Sequence, residues 1–349
     1  MQIDFHHTVT YVLSRMAGFP HNEAEIIAYA AQYVDDANNS GLIKFDNGAM
    51  YDRISSVNGT YSILKHMQDE VDYVIWTPFH FLPGVDPEAK TFIEKLVCRP
   101  HSDVAIKMVD ACIDYRNDSY ALHRLGITMH VYADTFAHKG FAGILNSINT
   151  VTDLNVEGEE FDFDDALKAK GISKAFPMGH GAALECPDKP YLIWSYKDYS
   201  GKLIERNNTN DFMDAANLLF AQLLRYYQKV VPGFTNNDDD FKKDMQKIRE
   251  NFESFREPSG EKRHERWLDS IRNSDFSFGS VNLTYISKGK GSWKYDALGT
   301  DLFEDIPGTK YSFNDDFFKS NWKLFHDALQ EHRLTILHDI LPQFKICLA

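Results

Sequence analysis

Three residues with metal-binding side chains, His130, Asp134 and His138, are spaced four apart in the segment LHRLGITMHVYADTFAHKGFAG (residues 122–143). On an α-helix, which turns about 100° and rises about 1.5 Å per residue, they lie one turn apart on one face. Imidazole and carboxylate groups are ligands that zinc, iron and manganese accept. The neighbouring residues are largely apolar, which predicts a buried helix, and buried polar groups need a partner or a metal. We therefore predict that the three residues bind a metal ion.

The same helix face carries His123, two turns before His130. With the other three polar residues it falls within an arc of about 80°. Because His123 is two turns away, it has two possible roles. It either lies outside the metal site and supports one of the metal ligands, or it contacts the substrate. The adjacent Arg124 is our candidate for contact with a phosphate group.

One helix cannot complete a metal site, so other segments must supply ligands. Asp35 and Asp36 end the segment AYAAQYVDD. Two adjacent carboxylates are electrostatically unfavourable at a helix C-terminus, which suggests that a cation compensates them. The alternative is a hydrated helix end.

Four further histidines and one aspartate have neighbours that favour a functional role. His6 and His7 stand in the first turn of the chain, as ligands or as solvated or capping residues. His80 lies among apolar residues in TPFHFLPG, and His180 lies between two glycines in MGHGAALECPDKP, which also contains Asp188. Glycines allow the backbone to approach a ligand closely.

These candidates divide into three predicted roles. The predicted metal ligands are His7, Asp35, Asp36, His80, His130, Asp134, His138 and His180. The predicted catalytic residues are Asp36 and His123, and the predicted substrate contacts are His6, Arg124 and Asp188.

The fold that must position them is predicted to be mainly helical. The chain has 349 residues, 43% of them hydrophobic and 13% aromatic, which is enough for a large core. We predict an all-α fold with one small β-hairpin in YLIWSYKDYSGKLIER, and long loops that include an acidic one at residues 151–175. Residues 1–233 are predicted to form a helical metal-binding core, and residues 234–349 a helical extension packed on it.

The formal net charge of −14 disfavours a stable nucleic-acid partner, and a phosphate-bearing ligand would need a locally positive site such as a metal ion. The sequence has no apolar run of membrane-spanning length and no recognisable export signal, so we expect a cytoplasmic protein. Its four widely spaced cysteines are expected to be free thiols.

The segments IDFHHTVTYVLSRMAGF, IAYAAQYVDDA, LHRLGITMHVYADTFAHKGFAG and GHGAALECPDKPYLIW together resemble an uncharacterised bacterial family of unknown function. More distantly, the arrangement is similar to the zinc-dependent phospholipase C and single-strand nuclease superfamily of all-helical metal phosphodiesterases. That resemblance implies a cluster of up to three zinc ions. It matches His130 and Asp134 to the His-x3-Asp motif, His138 to a further histidine, Asp35 or Asp36 to an early aspartate, and His7 to an early histidine.

We accordingly expect one to three divalent ions, zinc first, with iron or manganese as alternatives. The function that follows is a metal-dependent hydrolase in which a metal-activated water attacks a lipid or small-molecule phosphoester. Two alternatives stay open. One is an HD-type phosphohydrolase or a di-iron enzyme on a similar His and Asp set, and the other is a non-catalytic helical binding protein with a structural metal.

The C-terminal third offers two weaker features. His326-Asp327 and His338-Asp339 resemble the His-Asp pairs of the HD-type enzymes, but their helix positions favour surface or interface pairs. Trp293 stands among lysines, and we interpret this segment as a solvated loop that packs one tryptophan, with a substrate or partner patch as the alternative.

Overall fold

A computed structural model describes residues 1–57, 72–158 and 177–348 of the chain. This part is mainly helical and also contains two small sheets. Its α-helices are α1 (Thr10–Met16), α2 (His21–Asp36), α3 (Thr77–Phe79), α4 (Phe92–Lys95), α5 (Asp103–Asp114), α6 (Ala121–Ala137), α7 (Asn208–Val230), α8 (Asp238–Ser254), α9 (Gly260–Arg272), α10 (Trp293–Leu298) and α11 (Asn321–Leu334). Its strands are β1 (Gly41–Phe45), β2 (Met50–Arg53), β3 (Thr152–Val156), β4 (Ile193–Lys197), β5 (Leu203–Asn207) and β6 (Lys310–Tyr311).

Helix α6 lies at the centre of the molecule. Every residue from His123 to Ala137 is buried, and the helix packs against α2, α5, α7 and α11. A helix that is apolar nearly all round is typical of an interior position. The polar residues on α6 are therefore enclosed on all sides by protein.

Helices α2 and α6 approach each other most closely at Gly126. A Cβ atom at this position would clash with the carbonyl oxygen of Ile27 and would lie 2.7 Å from the Cβ of Ala30. Only glycine permits this spacing. The contact fixes the two helices that carry Asp35 and Asp134.

We expect Gly126→Ala to lower the free energy of unfolding by about 1–3 kcal/mol, the usual cost of overpacking a closely packed contact. The added methyl group must push α2 away, because the backbone of Ile27 cannot rotate out of its path. Urea denaturation measures the change. Ala221→Leu, which adds bulk on an exposed position of α7, should leave the unfolding midpoint nearly unchanged; equal midpoints for wild type and Gly126→Ala would contradict the close approach.

The chain begins with a π-helical turn, Asp4–Val9, that continues into α1. All six residues of the turn are buried, and the turn packs against α2 and α9. Asp4 accepts a hydrogen bond at 2.5 Å from the guanidinium of Arg263 on α9, and both side chains are almost fully buried. This ion pair anchors the first turn to the C-terminal third of the chain.

The two sheets lie at the periphery of the helical core. In one sheet the order is β2, β1, β6, with β2 antiparallel and β6 parallel to β1. In the other, β3, β4 and β5 form an antiparallel sheet. The predicted hairpin is the β4–β5 pair, which belongs to this larger sheet.

The prediction of a mainly helical fold is confirmed, but an all-α class is too simple, since two three-stranded sheets are present. The parallel β1–β6 pair joins segments more than 260 residues apart, which local sequence patterns do not indicate. Of the predicted acidic loop at 151–175, residues 152–156 form β3 and residues 159–175 lie outside the described residues.

The proposed division at residue 233 stays a prediction. Trp267 and Ile336, from the second part, are buried in the same apolar cluster as Phe5 and Leu125. Within the described ranges, no helix combines the length and apolarity needed to cross a membrane.

Candidate metal centre

The fold gathers eight histidine and aspartate side chains into one polar cluster beside α6. They form three groups whose members each offer a donor atom, with the atoms of a group within 4.8 Å of one another. The groups are His6, His130 and Asp134; Asp35, His80 and His130; and His138, His180 and Asp188. Because His130 belongs to two groups and Asp134 lies within 3.8 Å of His138, the three groups form one continuous centre.

The ligand candidates are positioned by several kinds of local structure. His130 and Asp134 stand one turn apart on α6, and His138 caps the C-terminus of that helix. His80 ends the short helix α3. The last two, His180 and Asp188, lie beside and within 3-10 turns that precede β4.

Three of the histidines have their Nδ1 fixed by a main-chain carbonyl. The Nδ1 of His130 lies 2.8 Å from the carbonyl oxygen of Ala31. In the same way, the Nδ1 of His138 lies 2.8 Å from the carbonyl oxygen of His80, and the Nδ1 of His180 lies 3.0 Å from that of Leu184. Since a carbonyl only accepts, Nδ1 donates and the Nε2 lone pair is left for another partner. This is the usual arrangement of metal-binding histidines.

His80 uses the opposite nitrogen. Its Nε2 lies 3.1 Å from the carbonyl oxygen of Ser56, so its Nδ1 lone pair faces the cluster, 3.2 Å from Nε2 of His130. Two unprotonated nitrogens cannot hydrogen-bond each other, so their approach requires a proton or a cation between them. The carboxylate of Asp35, 3.8 Å from both nitrogens, completes this group.

His6 is completely buried, and neither of its ring nitrogens has a hydrogen-bond partner. Its Nε2 lies 3.2 Å from Oδ1 of Asp134, and its ring stacks on that of His130 at 3.8 Å. A buried polar nitrogen without a partner is energetically costly. A metal ion at this position would satisfy it.

Asp134 lies at the middle of the centre. Its Oδ2 is 3.3 Å from Nε2 of His130 and 3.4 Å from Nδ1 of His80. With metal bonds of about 2.0–2.1 Å, tetrahedral geometry places neighbouring ligand atoms about 3.3 Å apart. The observed spacings therefore suit a small divalent ion.

A positive charge already lies between two of the carboxylates. The amino group of Met1 donates to Oδ1 of Asp134 at 2.6 Å and lies 3.4 Å from Oδ1 of Asp188. Oδ1 of Asp188 is otherwise buried without a hydrogen-bond partner. Asp134 and Asp188 thus face a site that favours a cation.

The protonation states also suit metal binding, which requires neutral imidazole and ionised carboxylate. Burial lowers the pKa of His130 to about 4 and that of His138 to about 3. Burial alone would raise the pKa of Asp134, but the neighbouring His138 and the amino group of Met1 hold it well below its usual value. The partial burial of Asp35 and the charge of Asp134 raise the pKa of Asp35, which a bound cation would reverse.

Phe81 and Gly179 hold the third group in place. The ring of Phe81 stacks on His138, with centroids 4.4 Å apart. Gly179 has a φ of +49°, and a Cβ there would clash with the Phe81 ring. Gly179, the glycine before His180, therefore leaves space for the ring of Phe81. The prediction was instead that this glycine lets the backbone approach a ligand closely.

Two of the predicted ligands lie outside the cluster. His7 points away from His6 and shares a hydrogen bond of 2.8 Å with Nε2 of His264. Asp36 accepts hydrogen bonds from Tyr285 at 2.6 Å and from Gln32 at 3.2 Å. Adjacent helix residues differ by about 100° in direction, so only one of each pair faces the cluster.

His123 and Arg124 are also outside the cluster. From His123 to His130 the helix rises about 10 Å. Nε2 of His123 is bonded to Asn321 at 3.0 Å. Arg124, predicted to contact phosphate, is buried, donates to Thr335 at 2.9 Å and lies over the ring of Tyr115.

The HD-like pairs are not part of the centre. His338 and Asp339 are exposed, as predicted. His326, predicted to be a surface or interface residue, is not on the surface, because it is 2% exposed and packs against Trp322. His332, on the same helix as His326, is also buried, and its Nε2 lies 3.1 Å from the carbonyl oxygen of Pro78.

Two members of the cluster had been assigned other roles from the sequence. His6 and Asp188, predicted to contact substrate, provide donor atoms beside the predicted ligands. For Asp188 a signal existed, since it lies only eight residues after His180 in the same turn-rich segment. For His6, nothing in the sequence distinguishes it from His7.

One known protein family matches nearly the whole chain. The sequence profile of a family of unknown function, DUF6765, matches residues 1–340. The chain belongs to the DUF6765 family. No curated protein and no solved structure matches it, so the distant similarity to the phospholipase C and nuclease superfamily has no support from these comparisons. For this member of DUF6765, function must be inferred from the centre itself.

Proposed function

We propose that the cluster beside α6 binds divalent metal ions, zinc first, and that the protein hydrolyses a phosphoester bond. The observation that carries the proposal is the orientation of the histidines. His80, His130, His138 and His180 each have one nitrogen fixed by a carbonyl and the other directed at carboxylates. Hydrogen bonding alone does not explain this convergence.

The donor set supports a reactive site over a structural one. Structural zinc sites are usually closed and rich in cysteine, whereas catalytic sites use three protein ligands and leave a position open. Each of the three groups contains three His or Asp residues, and none contains a cysteine. Three donors leave room for water or substrate in a four-coordinate site.

A phosphoester is the substrate class that suits adjacent ions. Divalent ions held by neighbouring groups would lower the pKa of a bound water and neutralise charge on a phosphoryl group. Only the Nε2 lone pair of His130 is free, so this histidine can bind an ion in one of its two groups, and a second ion would lie in the group of His138, His180 and Asp188. Asp35 is the most accessible member of its group, with 32% of its side chain exposed, and marks the side from which a substrate can enter.

The test is metal analysis followed by an assay of the reloaded protein. We expect protein purified without chelator to contain at least one divalent ion per chain. Protein stripped by chelator and reloaded with zinc or manganese should hydrolyse bis(p-nitrophenyl) phosphate or p-nitrophenyl phosphate, and stripped protein should not.

Failure to bind zinc, manganese or iron at micromolar concentration would contradict the whole proposal. Stoichiometric metal without turnover of diester or monoester would contradict the hydrolase and favour a structural metal. His338→Gln, which alters an exposed histidine far from the cluster in sequence, is the control and should keep both properties.

A further inference from the structure

A second polar recess lies on the other side of the C-terminal end of α2. It is bounded by this helix end, by β2, by residues near α10 and by α11. Its volume of about 10 Å³ is the room of one water molecule. Three of its lining side chains are cations: Arg53, Lys288 and Lys294.

Two of these cations are unusually buried for a protein with a net charge of −14. Arg53 is 5% exposed and Lys294 is 3% exposed. Buried charges require compensation by anions. Burial, together with the charges of Arg53 and Lys288, lowers the pKa of Lys294 to about 8.

The loop between α10 and β6 supplies two carboxylates to the three cations. Asp305 pairs with Arg53 and, at 2.9 Å, with Lys294. Glu304 pairs with Lys288 at 3.0 Å, although 65% of its side chain is exposed. Two carboxylates on one surface loop thus share three positive groups.

Donor capacity is left over inside the recess. Nε of Arg53 is buried and has no hydrogen-bond partner, although its Nη2 bonds Asp305. An oxyanion can accept from this group and from the neighbouring cations at once, and arginine is well suited to bind phosphate.

The recess is connected to the metal centre through a few main-chain contacts. Asp36 and Ala37 line the recess, while the adjacent Asp35 belongs to the metal centre. Ser56 donates its N–H to the carbonyl of Ala37 at 3.0 Å, and its own carbonyl holds His80. Adjacent residues at the end of α2 thus belong to the two sites.

We propose that this recess is an oxyanion site that takes a phosphate group, with Arg53, Lys288 and Lys294 as its cations. In the ligand-free protein the carboxylates of Glu304 and Asp305 occupy the positions of the phosphate oxygens. The incoming phosphate displaces them and the loop moves outward. The recess is separate from the proposed metal centre, and the inference does not depend on the proposed function.

The test measures binding of inorganic phosphate to chelator-treated, metal-free protein by isothermal titration calorimetry at low ionic strength. We expect Arg53→Met and Lys288→Met each to weaken binding by at least about tenfold, since each removes a charge-assisted contact. Asp305→Asn should tighten binding, because it removes the competing carboxylate. Lys290→Met is the matched control, since Lys290 is exposed and only two residues from Lys288.

Several results would overturn the assignment. The first is that the wild type does not bind phosphate. The second is that Lys290→Met weakens phosphate binding as much as Lys288→Met does. The third is that Asp305→Asn binds phosphate more weakly than the wild type although its thermal midpoint is unchanged. Acetate binding as tightly as phosphate would also overturn it, in favour of a carboxylate ligand. Lys288 is only partly buried, so Lys288→Met should stay folded even if Arg53→Met does not.

The two proposals fail separately, because phosphate binding is measured without metal. Phosphate binding in a protein that lacks hydrolysis would contradict the proposed function alone. Hydrolysis of a simple diester by a protein that does not bind phosphate would contradict the recess alone.

Discussion

The Asp134→Asn variant is expected to lose most of the bound metal and to have a kcat/KM for a phosphoester more than about 100-fold below that of the wild type. Removal of a residue that only supports a metal ligand already lowers metal affinity or activity by about 10- to 100-fold. The two oxygens of Asp134 lie close to nitrogen atoms of four residues: Oδ1 faces His6 and the Met1 amine, and Oδ2 faces His80 and His130. An amide keeps the shape of the side chain but removes the negative charge at the middle of the centre. Metal content per chain, determined by elemental analysis, measures the loss.

Asp244→Asn is the matched control for this substitution. Asp244 is also fully buried and accepts hydrogen bonds from the main chain and the hydroxyl of Ser277, but it lies on α8 and not in the cluster. The Asp244→Asn variant should keep the metal content of the wild type. Wild-type metal content in Asp134→Asn, or the same loss in both variants, would argue against Asp134 as the central ligand.

Acid is expected to destabilise the metal-free protein steeply between pH 6.5 and about pH 4. Burial lowers the pKa of His123 to about 4, and that of His326 and of His332 to about 3. In the unfolded chain these groups have a pKa of about 6.5. Below pH 6.5 the unfolded state therefore takes up protons that the native state does not, and each such histidine lowers the free energy of unfolding by up to about 1.4 kcal/mol per pH unit.

His130 and His138 add to this slope, since burial lowers their pKa in the same direction. Asp35 opposes it, because its pKa is raised and its native form binds a proton more readily than the unfolded chain does. The histidines outnumber it, so stability should fall as pH falls. Urea denaturation at pH 7, 6 and 5 with chelator present measures the slope.

Variants resolve which histidines are responsible for the acid sensitivity. His332→Leu should reduce the number of protons taken up on unfolding by about one, because it removes a buried histidine, and the slope of stability against pH should fall accordingly. His338→Gln, at an exposed position on the same C-terminal segment, should leave the slope unchanged. A free energy of unfolding that is constant from pH 7 to pH 5 would contradict the burial of these rings in neutral form.

The part of the metal centre that sequence predicts is the part that helix geometry controls. The spacing of His130 and Asp134 determines their shared face without any knowledge of the fold, and the structure brings them together. His138 lies just beyond the last turn, yet its direction still follows from the helix.

Adjacent candidates were harder to separate. Periodicity could not decide between His6 and His7, or between Asp35 and Asp36, because the choice depends on which helix packs against each side. The first turn is rotated by its contacts with α2 and α9, more than 250 residues away in the case of α9. His7 was predicted as a ligand, whereas the structure places His6 in the cluster.

The recess could not be predicted for a similar reason. Arg53 and Asp305 are 252 residues apart, and no local pattern relates them. The lysines around Trp293 were visible in the sequence, but a charged loop is usually solvated. Only the fold shows that Lys294 is buried and that Lys290 is not.

The eight side chains of the metal centre are spread from residue 6 to residue 188. Only His130, Asp134 and His138 are close enough along the chain for an early helix to present them together, and they are divided among the three groups, so that no group has all its donors. The other donors arrive only after long loops have closed, a slow step in folding. A metal ion therefore could not organise this chain as zinc organises a zinc finger. The polypeptide would have to fold first, with its histidines already enclosed, and the proposed ion would have to enter a finished interior.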